Sequence, residues 1–236
     1  MWLSVIFTLT SVKEWYFIRT WQNCQYFFVP LQKFKPNVMK RTILALILAC
    51  STLALSAQVT IKVNYKGAKP SISDFAWAVL SYDENSEEAD FDESRNAVKQ
   101  AWIRHQKGLA QEKGVTLTID EKNGYVLYES KDGEFTSQVE MCYWNEADGK
   151  HKLFAYKTES FINGNRPEPG QYDGLVFYRY DNASKKMTIC EAGIDVEYSN
   201  ISYALPRSGK NITVTRWNPD GTTKRETLKW NGHGFN

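Results

Sequence analysis

The sequence is poor in the residues that carry most catalytic and metal-binding chemistry. Only three histidines and four cysteines occur among its 236 residues. The histidines, His105, His151 and His233, form no HExxH pair, no serine stands in a GxSxG pentapeptide, and no glycine-rich loop follows a strand-like segment. These absences argue against the common zinc-protease, serine-hydrolase and dinucleotide-binding enzymes. We therefore expect no cofactor and assign no catalytic residue.

The sequence also lacks an apolar run long enough to cross a bilayer. Residues 43–49 are apolar, a cationic head at residues 39–41 precedes them, and Leu55-Ser56-Ala57 stands before Gln58. This order is typical of a secretory signal peptide, whereas a membrane-spanning helix needs about 20 apolar residues. We predict a signal peptide over residues 39–57 that is cleaved before Gln58, with no transmembrane span in the mature chain.

Residues 1–38 stand upstream of this leader and show neither helical nor strand periodicity. We expect translation to start at Met39 and the upstream segment to be a non-native extension. The alternative, an N-terminal anchor built on residues 2–10, falls far short of the length that a spanning helix needs. Lipid attachment at Cys50 is a further alternative. We favour secretion or release into the periplasm, because Leu48 stands where a lipoprotein cleavage site prefers a small residue.

The predicted mature chain, residues 58–236, is long enough for one domain with a sizeable core. It carries 23 basic and 26 acidic residues, although the full chain has a net charge of +2. A mildly acidic chain without a clustered basic face is unsuited to nucleic acid. Two cysteines remain, Cys142 and Cys190. They either form a disulfide, which would stabilise the fold by about 4 kcal/mol, or stay as buried thiols.

The first half of the mature chain predicts one strand and two helices. Residues 59–63 alternate between apolar and polar side chains, as in a strand. Ser73 or Asp74 is then expected to cap a short helix. A second helix follows the acidic residues 83–92 and ends at Gly114. Its apolar face consists of Val98, Ala101, Trp102, His105 and Leu109. We expect His105 to be packed on that face and to have no catalytic role.

From residue 115 onwards the apolar side chains recur at every second position, as in a strand. Strand-like runs at residues 115–119, 125–129, 135–144 and 151–157 are separated by loops that end in glycine after asparagine or aspartate. Such loops form hairpins, and short connections join antiparallel strands. The sequence therefore predicts an α+β fold in which one or two N-terminal helices pack on a curved antiparallel β-meander of about eight or nine strands.

A weak repeat recurs at residues 139–145, 175–181 and 212–218. Alternation places the first and third residues of each copy on one face, which we assign to the core. The sixth residues, Trp144, Tyr180 and Trp217, then share the other face. If they are exposed, these rings could stack on sugars or anchor a partner protein; the alternative is that a further layer covers them.

The loop at residues 160–173 follows neither period and carries Arg166 and Tyr172, a second candidate ligand-binding set. Its alternative interpretation is an ordinary connection between hairpins. The turns at residues 148–149 and 218–221 offer too few carboxylates for a calcium loop. We therefore expect no metal site.

Two segments carry a resemblance: Leu55-Ser56-Ala57 before Gln58, and the C-terminal Leu228-Lys229-Trp230-Asn231-Gly232-His233-Gly234-Phe235. With these segments the chain resembles small exported proteins of Bacteroidota that have no assigned function. The resemblance implies export and brings no catalytic residues with it. We predict an exported, periplasmic or cell-surface, non-catalytic binding protein for a protein or glycan ligand. The alternatives are a hydrolase that acts on envelope or dietary polymer, and a purely structural envelope protein.

Overall fold

The computed structural model describes residues 11–12, 15–19, 26–30, 59–82, 92–164, 174–194, 200–218 and 220–236. The chain forms two compact units, Met1–Ser56 and Ala57–Asn236. In the first unit, three strands form an antiparallel sheet in the order β1-β2-β3: β1 (Ser11–Val12), β2 (Trp15–Arg19) and β3 (Tyr26–Pro30). The predicted signal peptide, including Cys50, lies outside the described residues.

The second unit contains two helices and ten strands among its described residues. They are β4 (Thr60–Lys62), α1 (Ile72–Leu80), α2 (Asp92–Gln106), β5 (Val115–Asp120), β6 (Tyr125–Asp132), β7 (Phe135–Asn145), β8 (His151–Ile162), β9 (Gly174–Asp181), β10 (Lys186–Cys190), β11 (Ile201–Ala204), β12 (Ile212–Trp217) and β13 (Thr223–Leu228). This content confirms the α+β prediction and the antiparallel hairpins.

The strands do not form one meander of eight or nine, as predicted, but two separate antiparallel sheets. The larger sheet has seven strands in the order β4-β10-β9-β8-β7-β6-β5, and the smaller has the order β11-β12-β13. The physical reason lies at β10, because the N-terminal strand β4 pairs with its outer edge. That edge is therefore closed to β11, and the last three strands pack against a face of the larger sheet.

Helix α1 begins two or three residues earlier than an N-cap at Ser73 or Asp74 would place it. Ser71 is the N-cap: its Oγ accepts the Asp74 N–H at 3.4 Å, and the Asp74 carboxylate accepts the Ser71 N–H at 2.8 Å. This reciprocal pair is a capping box, which satisfies backbone donors that a helix start leaves free. Asp74 is thus the second member of the cap, and Ser73 is free to contribute elsewhere.

Helix α2 ends earlier than predicted. Gly108, with φ of +65°, turns the chain, and the Leu109 N–H donates to the Arg104 carbonyl at 2.9 Å. The predicted apolar positions before this point, Val98, Ala101 and Trp102, are buried. Leu109 is 53% exposed and His105 is also exposed, so the prediction that His105 packs on the apolar face is wrong.

Both faces of the seven-stranded sheet are covered. One face packs on the helices through residues such as Val126, Val139, Met141, Phe154 and Tyr180. The other face packs on the three-stranded sheet and the C-terminal segment through Cys142, Trp144, Leu153, Leu175 and Phe177. The described part of the second unit is therefore a helix, sheet and sheet sandwich.

This layering corrects the predicted face assignment of the repeat. Val139 and Met141 lie in the core beneath the helices, whereas Leu175 and Phe177 lie in the core beneath the smaller sheet. Alternation separates the two faces of each strand correctly. Alternation does not indicate which residues of two different strands lie on the same side of the sheet.

The strand register excludes the proposed disulfide. Cys142 pairs with Ala155, Ala155 with Phe177, and Phe177 with Cys190, so three strand spacings separate the two cysteines. At about 4.8 Å per spacing the Cα atoms are about 14 Å apart, and a disulfide requires less than about 7 Å. Both cysteines are free thiols, Cys142 buried and Cys190 half-buried.

Candidate functional site

The predicted row of exposed aromatic rings is not formed. Trp144 is only 4% exposed; its indole stacks on Trp230 with ring centroids 5.8 Å apart, and its Nε1 donates to the Lys210 carbonyl at 2.8 Å. Tyr180 is fully buried on the opposite face, against Phe75 of α1. These two predicted ligand-binding residues therefore belong to the two cores.

Of the other predicted ligand-binding residues, Trp217 is half-buried at the end of β12. Arg166 and Tyr172 lie outside the described residues. The structure brings none of the five together into one described site, and it places the three rings of the repeat in three different surroundings.

A cleft of about 350 Å³ lies instead between α1, α2 and the end of β5. Its lining residues are Asn64, Ser73, Asp74, Trp77, Trp102, His105, Gln106, Ile119 and Glu121. The volume is within the range of small-molecule sites, at its lower end. The cleft is therefore the candidate site for a small ligand or for one unit of a larger one.

One indole, that of Trp77, forms the accessible apolar part of the cleft. Trp77 lies on the half-buried side of α1, between the buried Ala76 and Ala78, whereas Trp102 of α2 is only 2% exposed and forms the closed floor. The sequence pattern placed Trp102 on the apolar face of its helix, but the cleft exists only because the two helices meet beside β5. An indole offers a wide flat surface at a small cost in conformational entropy, which suits a ligand with one apolar face.

The rim of the cleft is polar. His105, Gln106 and Asn64 are exposed, and the Ser73 hydroxyl donates to the Glu121 carboxylate across the cleft. Asp74 and Glu121 make the rim acidic, and no lysine or arginine is among the lining residues in the described part of the chain. Such a lining disfavours anionic ligands and provides several hydrogen-bonding groups for hydroxyls.

A second unusual feature is a group of charged side chains buried between the two sheets. Lys157 and Glu159 are each 2% exposed, and Glu140 is almost as buried. The Lys157 ammonium contacts the Glu140 carboxylate and lies 3.0 Å from Glu159 Oε2. The Tyr125 hydroxyl donates to Glu140 Oε1 at 2.5 Å, and burial together with that carboxylate raises the tyrosine pKa.

The two carboxylates fasten the edge strand β11 to the larger sheet. Glu159 accepts the Tyr203 N–H at 3.0 Å and the Ser202 hydroxyl at 2.8 Å, and Glu140 accepts the Leu205 N–H at 3.3 Å. These backbone donors face away from the paired strand β12, so the carboxylates replace a missing strand. The group is an internal anchor between layers. The sequence carried a signal for this anchor: the polar residues at 138, 140, 157 and 159 project from the same face of the paired strands β7 and β8.

No protein-family model, no curated protein and no solved structure matches the chain. Among the helices of the described residues, none is long and apolar enough to cross a membrane. The candidate function therefore rests on the residues of the cleft and on the chemistry that they can perform.

Proposed function

We propose that the mature chain is an exported, non-catalytic binding protein that holds a neutral saccharide in the cleft between α1, α2 and β5. The observation that carries this proposal is the combination of the half-buried Trp77 indole with an acidic, hydroxyl-binding rim in a cleft of about 350 Å³. Sugar rings present an apolar face to aromatic side chains and hydroxyls to polar ones. We therefore propose that Trp77, and not Trp144, Tyr180 or Trp217, provides the aromatic recognition.

The rim supports a neutral ligand over a charged polymer. Asp74 and Glu121 would repel sulfated or phosphorylated glycans, because like charges in a partly buried site cost binding free energy. The Ser73–Glu121 hydrogen bond and the capping box hold both carboxylates in place before a ligand arrives. Pre-organised acceptors of this kind reduce the entropy cost of binding.

A glycan array with the full chain, followed by calorimetry with the best neutral ligand, tests the proposal. The Trp77→Ala variant should bind that ligand at least about fivefold more weakly, because an aromatic contact contributes about 1 kcal/mol. Trp217→Ala is the matched control, since Trp217 is also half-buried but lies on β12, away from the cleft. Its affinity should equal that of the parent.

Two further measurements separate the alternatives. Incubation of the bound glycan with the protein should release no shorter product, and release would favour the hydrolase. Equal binding by Trp77→Ala and the parent, or no glycan binding at all, would contradict the saccharide site and favour a protein ligand or a structural role.

Mass spectrometry of the secreted protein tests export: an N-terminus at Gln58 supports cleavage after Ala57.

A further inference from the structure

Two histidines and two carboxylates meet at the turn between β7 and β8, away from the saccharide cleft. The ligand atoms of Glu146, Asp148 and His151 all lie within 4.8 Å of one another. The C-terminal segment adds His233, whose Nδ1 lies 3.1 Å from Glu146 Oε2. We call these four residues the turn cluster.

Backbone hydrogen bonds place each histidine of the turn cluster. Asp148 Oδ1 accepts the N–H groups of Lys150 at 2.8 Å and His151 at 3.0 Å, and its Oδ2 lies 2.5 Å from His151 Nδ1. The Ala147 N–H donates to the Gly232 carbonyl at 2.8 Å, which fastens the C-terminal segment to the turn. His233 follows directly, so its imidazole is held over the same turn.

Glu146 is the buried member, with its side chain only 3% exposed. The Arg179 Nε donates to Glu146 Oε1 at 2.7 Å and orients the carboxylate so that Oε2 faces His233. Buried carboxylates need such partners, because an unpaired buried charge is costly. Arg179 also offsets one of the two negative charges in the cluster, which leaves a net charge of about −1 when both imidazoles are neutral.

We propose that the turn cluster binds a zinc ion through Glu146, Asp148, His151 and His233. Imidazole nitrogens and carboxylate oxygens are ligands that zinc accepts in tetrahedral geometry. Ligand atoms at about 2.1 Å from one tetrahedral ion lie about 3.4 Å apart. The two direct pairs, 2.5 Å for His151–Asp148 and 3.1 Å for His233–Glu146, are already closer than that. His233 contacts Glu146 but lies outside the group of three whose ligand atoms are all within 4.8 Å, so its imidazole would move towards Asp148 and His151 when the ion binds.

Binding replaces hydrogen bonds with metal–ligand bonds. Zinc binds an imidazole through a nitrogen that carries no proton. Where that nitrogen was protonated, its proton is released to solvent. The ion would join the β7–β8 turn to the C-terminal segment. Our expectation that the chain has no metal site considered the carboxylates within each turn and the HExxH pattern of the histidines, and nothing in the local sequence brings His233 to the β7–β8 turn.

Calorimetric titration of the tag-free full chain with zinc chloride tests the proposal, together with imidazole nitrogen NMR spectra. We expect one zinc per chain, shifts of the His151 and His233 signals, and at least about tenfold weaker binding in His151→Ala and in His233→Ala. Asp132→Ala is the control, since Asp132 is exposed at the end of β6 and lies outside both the cluster and the cleft. Its affinity should be unchanged.

Each variant must keep the circular dichroism spectrum and the melting temperature of the zinc-free parent, and the exposure of both imidazoles makes that outcome expected. Magnesium, which prefers all-oxygen octahedral sites, should bind far more weakly than zinc. Three results would overturn the proposal: no shift of the two imidazole signals, zinc affinity that persists in both histidine variants, or loss of affinity in Asp132→Ala. The four residues would then be hydrogen-bonded ion pairs only.

Discussion

Replacing Lys157 by methionine should destabilise the fold strongly, because it leaves two buried carboxylates without their shared cation. The side chain is 2% exposed and contacts both Glu140 and Glu159. Removing one partner from a buried ion pair costs about 3–5 kcal/mol. Methionine nearly preserves the side-chain volume, so little of that cost comes from a cavity. For a domain of this size the melting temperature should fall by roughly 10 °C.

Lys131→Met is the matched control. Lys131 also lies on the seven-stranded sheet and also forms an ion pair, with Glu129 at 2.8 Å, but its side chain is 60% exposed. An exposed pair contributes about 0–1 kcal/mol, since water screens it. Urea unfolding followed by tryptophan fluorescence measures both variants. A difference between them of less than about 1 kcal/mol would refute the reasoning.

A double variant checks that the cost comes from uncompensated charge. Glu140→Gln in the Lys157→Met background neutralises one of the two carboxylates that have lost the lysine cation and should recover part of the lost stability. The expected interaction energy is about 0.5–3 kcal/mol, as for residues in one network. Purely additive effects would show that the three side chains do not act together.

Three other perturbations test separate parts of the structure. Alkylation of the native protein at pH 8 should be slow at Cys142 and Cys190, because burial raises the pKa of both thiols, that of Cys190 to about 11; intact mass should show no disulfide, and a linked peptide would contradict the register. Gly114→Ala should cost at least about 1 kcal/mol more than Gly133→Ala. Both positions have positive φ, but only at Gly114 would the new Cβ lie 2.4 Å from a backbone oxygen, that of Lys131; equal unfolding energies would contradict this. Hydrogen bonds from Asn123 and Arg207 lower the pKa of Asp120 to about 2 from its ordinary 3.8. The stability that Asp120 adds should therefore be complete above about pH 4 and be lost as pH falls towards 2. The melting temperatures of Asp120→Asn and the parent should converge over that window, and a constant difference would contradict the assignment.

The hairpins could be predicted from the sequence because their signals are local. The predicted run at residues 115–119 corresponds to β5 (Val115–Asp120), and that at 125–129 begins β6 (Tyr125–Asp132). The connecting glycines, such as Gly124 with φ of +66°, adopt the left-handed conformation that the turns require. Each of these features is decided within a few residues of chain.

The pairing of β4 with β10 could not be predicted in the same way. Ile61 opposes Met187 across more than a hundred residues, and nothing local to either strand identifies the other. This single pairing occupies the edge of the larger sheet, so β11 cannot pair there and packs on a face of that sheet instead. The burial of Trp144 beneath the smaller sheet follows from it, whereas Tyr180 is buried on the opposite face against Phe75 of α1.

The candidate sites were hidden for a related reason. The cleft combines Trp77 of α1, Trp102 of α2 and Glu121 beyond β5, and the turn cluster joins His151 to His233. The local sequence indicates only that each of these residues lies in a helix, in a turn or near the terminus. Only the tertiary contacts bring them together, and those contacts follow from the layering.

The layering also predicts that the saccharide and zinc sites act independently. Trp77 packs against the core beneath the helices, whereas His151 and Arg179 stand in phase with Leu153 and Phe177, which face the smaller sheet. The close-packed central sheet separates the two sites, and substitutions without shared partners are usually additive. Zinc affinity should therefore be unchanged in Trp77→Ala, and saccharide affinity unchanged in His151→Ala. A change of more than about threefold in either calorimetric titration would mean that the sheet transmits a rearrangement between its faces, because about 0.6 kcal/mol exceeds the usual deviation from additivity.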